Sequence, residues 1–138
     1  MFSVLINQNE QVFSEYFKTK LFPGSLNISI DPPASQSLRN DLDNGRYKPD
    51  FIIPREHLVG MPPYIGDGQA WRCNLISEKI PSDINTWVFR RIGSKVPHEV
   101  LEIVSSSRLV EPYGLRHEDP VIVELIENTE FIRGVHFA

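Results

Sequence analysis

Between residues 25 and 30 the chain alternates cleanly. Leu26, Ile28 and Ile30 fall on one face of an extended segment, and Ser25, Asn27 and Ser29 on the other. Pro23-Gly24 just before it reads as the centre of a type II turn, because proline presets φ and glycine accepts φ > 0. A second alternation spans residues 69–80, with Trp71, Cys73 and Leu75 on one side. Further strands are expected at 2–6, 50–54, 86–92, 100–105 and 121–126, with Trp87 and Phe89 sharing a core face. Val12, Phe13, Tyr16 and Phe17 form an apolar stripe that predicts a helix over 10–21, N-capped by Asn9. Leu38 and Leu42 predict a second helix over 35–44, with Gly45 at its C-cap. Residues 57–68 read as a Gly- and Pro-rich loop, and 108–113 as a helical turn closed by Gly114. Many short strands and few helices predict a mainly β fold: a single small six- or seven-stranded barrel. Leu26, Ile28, Ile30, Val121 and Val123 are expected in its core. The domain is expected to cover 1–130, with 131–138 as a C-terminal tail.

Composition narrows the partners. At 138 residues the chain is long enough for one domain with a real core. It is 41% hydrophobic and 23% charged, the balance of an ordinary soluble protein. A net charge of −4 argues against a nucleic-acid partner, which calls for a basic face. Cys73 is the single cysteine, so an internal disulfide is excluded and a reducing cytoplasm is expected. No basic-then-apolar leader opens the sequence and no stretch approaches a membrane span, so no membrane partner is expected. A monomer or weak homo-oligomer fits this balance. His57, His98, His117 and His136 are scattered and read as surface or loop residues. Trp71, Trp87, Tyr64 and Tyr113 offer either ring stacking or core packing.

Ser25 and Asn27 are uncharged oxygen donors two strand positions apart, suited to Mg²⁺ beside phosphate oxygens, or simply to a solvated edge. Phe22-Pro23-Gly24-Ser25-Leu26-Asn27-Ile28 resembles the Pro-Gly-Thr-Leu-Asn-Val segment of the archaeal-type, CTP-dependent riboflavin kinases. A second block, Arg90-Arg91-Ile92-Gly93-Ser94 and then His98-Glu99-Val100-Leu101-Glu102-Ile103-Val104, is similar to the same family. A third runs from Ser107 through Gly114-Leu115 to Asp119 and the apolar strand after it. Order and rough spacing agree from about residue 13 to residue 126. The resemblance implies a cradle-loop barrel of the riboflavin-synthase-like kind. It implies Mg²⁺ held by Ser25 and Asn27, flavin contacts from Ser94 and Glu102, and Glu102 as the catalytic base. It also implies that Ser107, Arg108, Leu109, Val110, Glu111 and Pro112 line the nucleotide. The implied reaction is phosphoryl transfer from CTP to riboflavin, giving FMN.

Departures from the family fall on the nucleotide side. Its glycine-rich run corresponds here to Leu5-Ile6-Asn7-Gln8-Asn9-Glu10-Gln11-Val12, without a glycine to bring backbone N–H groups close to phosphates. Val110 stands where the family has arginine, and Glu118 where it has glycine. Three readings follow: a divergent flavin kinase, a non-catalytic flavin- or nucleotide-binding barrel, and a regulatory module of the swapped-hairpin kind. The acidic charge disfavours the last. Weak or absent CTP binding is expected, with flavin binding the better retained.

Overall fold

Seven strands, β1 (Leu26–Ser29), β2 (Phe51–Ile53), β3 (Gly68–Ile76), β4 (Thr86–Arg91), β5 (Val100–Ser105), β6 (Pro120–Leu125) and β7 (Glu130–His136), form one antiparallel sheet in the order β2-β3-β4-β5-β1-β7-β6, and β3 also pairs with β6. That extra pairing closes six strands into a barrel and leaves β2 outside the ring. The computed structural model describes residues 2–137. The helices are α1 (Phe2–Gln8), α2 (Glu10–Phe17) and α3 (Ala34–Asp43). The mainly β barrel and its expected core follow the alternation: Leu26, Ile28, Ile30, Val121 and Val123 are all buried in the barrel interior. No helix among the described residues is long and apolar enough to cross a membrane.

β4 is buried on both faces. Val88 points into the barrel with Trp71, Cys73 and Ile103. Trp87 and Phe89 point outward into a second core with Phe13, Phe17, Ile53, Ala70 and Val104. Phe17 meets the Trp87 ring edge-on at 4.9 Å. This apolar outer surface explains the first correction to the sequence reading. Residues 2–6, expected as a strand, are helical because Leu5 and Ile6 must cover that surface beside Phe13 and Phe17. Tertiary burial overrides the strand preference of a β-branched run.

The helix expected to reach residue 21 ends at Phe17, where Lys18 turns left-handed at φ 61°. Asn9 precedes that helix but makes no side-chain cap. Its Nδ2 donates to the carbonyls of Leu5 and Val59, and its Oδ1 accepts the Val59 N–H at 2.8 Å. Asn9 therefore ties the 57–68 loop to α1. That loop opens with a single 3-10 turn, Arg55–His57. Residues 108–110 have no regular structure and 111–114 form a hydrogen-bonded turn rather than a helix, closed by the Leu115 N–H on the Val110 carbonyl. Gly114 sits at φ +65° there.

The segment expected as a tail is largely β7. It pairs with β6 from Pro120↔Val135 to Leu125↔Glu130 and with β1 at Ile28↔His136. Without it the barrel has no seal between β1 and β6. His136, expected on the surface, is buried inside and donates from Nδ1 to the Arg116 carbonyl at 2.9 Å.

Candidate functional site

The polar face of β1 meets β5. Asn27 lies directly opposite Glu102 in the antiparallel register, so both side chains leave the sheet on the same side. The Ser25 hydroxyl donates to Asn27 Oδ1 at 3.4 Å. Ser25, Asn27 and Glu102 therefore form one polar strip on the outside of the barrel, each half-buried. Burial raises the Glu102 pKa above the ordinary glutamate value, and the nearby Arg91 guanidinium partly offsets it.

Two hollows flank the strip. The first, about 200 Å³, is lined by Ser25, Arg108, Leu109, Val110 and Glu111 among others. It brings the expected metal residue Ser25 beside most of the expected nucleotide segment. Arg108 donates from Nη1 to Glu111 Oε2 at 2.6 Å and covers the Phe22 ring at 5.1 Å. Leu109 is a core residue, and Val110 packs against the barrel interior. Ser107 and Pro112 are exposed and lie outside this lining.

The second hollow is a cleft in the barrel wall. The ladder between β4 and β5 stops at Val88↔Ile103, although β4 continues to Arg91 and β5 begins at Val100. Beyond that point β4 stays with β3, pairing Arg90↔Gln69 and Arg91↔Gly68, while β5 stays with β1. The two pairs diverge and open a cleft of about 40 Å³, lined by Arg39, Arg90, Arg91, Ser94, His98 and Glu102 together with apolar side chains of α3. Ser94 and Glu102, the expected flavin contacts, thus share one cleft. It is too small to enclose a tricyclic ring.

Sequence reading missed Arg39 and His98 here. Arg39 Nη2 donates to the Val96 carbonyl at 3.0 Å, and Ser35 Oγ lies 2.9 Å from His98 Nδ1. His98 Nε2 is 2.7 Å from Glu99 Oε1. Together these contacts fasten the β4–β5 loop to α3. No local pattern announces them, because Ser35 and His98 are 63 positions apart. The adjacent arginines 90 and 91 at the end of a strand were the one visible sign.

A larger hollow, about 1040 Å³, lies elsewhere, against α2 and β2 to β4, beside Tyr16, Phe51, Arg72 and Trp87. None of the expected site residues lines it. Several of its polar groups are already paired: Tyr16 Oη bonds His57 Nδ1, Arg72 Nη2 donates to Asn85 Oδ1, and Asp50 accepts the Arg72 N–H. Trp71 and Trp87 are buried packing residues, Tyr64 is exposed, and Tyr113 packs on the barrel core. Comparison of the chain with family models, curated proteins and solved structures finds no match in any of the three.

Proposed function

We propose that this chain is a divergent riboflavin-kinase-like protein that transfers a phosphoryl group from a nucleotide to riboflavin, giving FMN. The observation that carries the reading is the strip itself: Asn27 opposite Glu102, with Ser25 bonded to Asn27. Two neutral oxygens beside one carboxylate are what such a transfer asks of the protein. Ser25 Oγ and Asn27 Oδ1 are 3.4 Å apart. Adjacent ligands of an octahedral Mg²⁺ at about 2.1 Å are about 3.0 Å apart, so a small rotation brings both onto one ion. The ion would neutralise charge on the phosphates. The acceptor hydroxyl oxygen attacks the terminal phosphorus as its proton passes to the Glu102 carboxylate. The bond from that phosphorus to the bridging oxygen breaks, and the nucleoside diphosphate leaves. Burial moves Glu102 toward the working pH, which suits a general base.

One observation favours the non-catalytic alternative, a barrel that binds flavin or nucleotide. The glycine-free segment that would cradle the phosphates is folded into α1 and α2. The Asn9 N–H bonds the Leu5 and Ile6 carbonyls, and the Phe13 N–H bonds the Asn9 carbonyl. Donors committed to helix bonds do not reach a phosphate. CTP is accordingly expected to bind weakly, and calorimetric titration with Mg²⁺ measures it. Incubation with riboflavin, Mg²⁺ and each nucleoside triphosphate in turn, followed by chromatography for FMN, separates the readings. FMN formed by the wild type and lost in N27A and E102Q supports the kinase. Riboflavin binding without FMN from any donor selects the binding barrel.

A further inference from the structure

The diverging ends of β4 and β5 gather positive charge from three places. Arg39 comes from α3, and Arg90 and Arg91 from β4; all three line the cleft with the Ser94 hydroxyl. Their partners are distributed unevenly. Arg90 Nη2 meets Asp43 Oδ1 at 2.5 Å. Arg90 Nη1 is buried with no hydrogen-bond partner, the one such side-chain nitrogen or oxygen among the described residues. Leaving a buried charged donor unmet is costly, so such an atom marks a place where an acceptor belongs. The nearby acids are accounted for: Asp43 holds Arg90, Glu99 holds His98, and Glu102 sits by Arg91. Arg39 has a backbone carbonyl, not a carboxylate, as its recorded partner.

We propose that the β4–β5 cleft is an oxyanion site that takes the phosphate group of a phosphate monoester or free inorganic phosphate, with Arg90 Nη1 as its buried donor. The volume of about 40 Å³ suits one small oxyanion. Donors that line one gap from a helix, a strand and a loop suit a tetrahedral anion; a planar carboxylate is already served by a single guanidinium fork. The site depends on the gap and the guanidinium groups, not on phosphoryl transfer, and holds whether or not the chain makes FMN.

The test is calorimetric titration of the full chain with inorganic phosphate, glycerol phosphate and acetate at constant ionic strength. Phosphate is expected to bind and acetate not. Tighter binding of glycerol phosphate than of inorganic phosphate would identify a monoester site; the reverse order would identify a free-phosphate site. R90Q is expected to weaken phosphate about tenfold or more, since a charge-assisted bond is lost. R39Q supplies the same test if R90Q fails to fold, because it leaves the Arg90–Asp43 pair intact. R46Q, altering an exposed arginine outside the cleft lining, is the control and should bind as wild type. Absence of phosphate binding at about 10 mM overturns the proposal, as does unchanged affinity in the folded cleft variants or equal affinity for acetate. None of these readouts passes through FMN, so failure here and failure of the kinase reading are separable.

Discussion

Gly134 is where β7 is pressed hardest against β1. A Cβ built there would lie 2.5 Å from Ile28 Cγ2, 2.7 Å from the Ser29 carbonyl oxygen and 3.3 Å from Ile30 Cγ1. Ile28 Cγ2 and Ile30 Cγ1 sit directly on the Cβ atoms of buried, χ1-restricted side chains, and the Ser29 oxygen belongs to the backbone, so none gives way freely. Restoring an ordinary contact of about 3.4 Å moves β7 outward by about 0.7 Å, the difference between that contact and 2.7 Å. The strain falls on a short ladder, with Ile28↔His136 and Ser29↔Val135 as its registered pairs. Overpacking of this kind costs about 1–3 kcal/mol. For 138 residues, at about 2.1 cal/mol/K of unfolding entropy each, that lowers Tm by about 3–10 °C. Urea unfolding of G134A, followed by fluorescence of the two buried tryptophans, measures the loss. G134V should lose more than G134A. G114A is the comparison: nothing lies within 4 Å of its Cβ, so its cost, about 1–2 kcal/mol, comes from φ +65° alone. If G134A unfolds at the wild-type midpoint, β7 is not packed as described and the barrel closure is wrong.

Other expectations follow from buried and paired groups. E102Q removes a carboxylate whose folded pKa is raised by burial. The wild-type contribution is present below the unfolded pKa and lost as pH rises through the folded one, so E102Q should gain stability relative to wild type as pH rises above the ordinary glutamate value. Asp119 has the opposite sign, because Lys79 Nζ at 2.7 Å and the Arg116 N–H hold its pKa below the usual value. Its contribution is present above the unfolded pKa and lost as pH falls through the folded one. K79M should therefore move acid unfolding to higher pH. The Cys73 thiol, pushed up to about 12 by burial, should resist a thiol-reactive disulfide reagent in the native state and react once urea unfolds the chain. Rapid labelling of the folded protein would show that the barrel interior opens.

The barrel was legible wherever inward positions carried large apolar residues, as in β1 and β6. β7 was not, because its inward positions are Ile132, Gly134 and His136 while Phe131 and Val135 point outward. A glycine that admits close packing and a histidine bonded inside erase the usual alternation. The strand expectation at residues 2–6 failed for a different reason: only the folded sheet reveals the outer apolar surface those residues cover. Asn27 was legible on the polar face of its strand and Glu102 came from resemblance; the register places them face to face. Ser35, Arg39 and His98 had no local signature, since the cleft exists only where two strands part company.

The double-sided burial of β4 also sets how the molecule comes apart. Trp71 reports from inside the barrel and Trp87 from the cover of helices, yet they sit on neighbouring strands, one register pair apart. Losing either core strips support from the same strand, so neither can melt while the other stays whole. W71F and W87F each leave a single reporter, and their fluorescence transitions in urea should coincide after allowance for each substitution's own cost. Separate midpoints within one variant, read by fluorescence and by far-ultraviolet dichroism, would mean that the helical cover detaches as an independent lid.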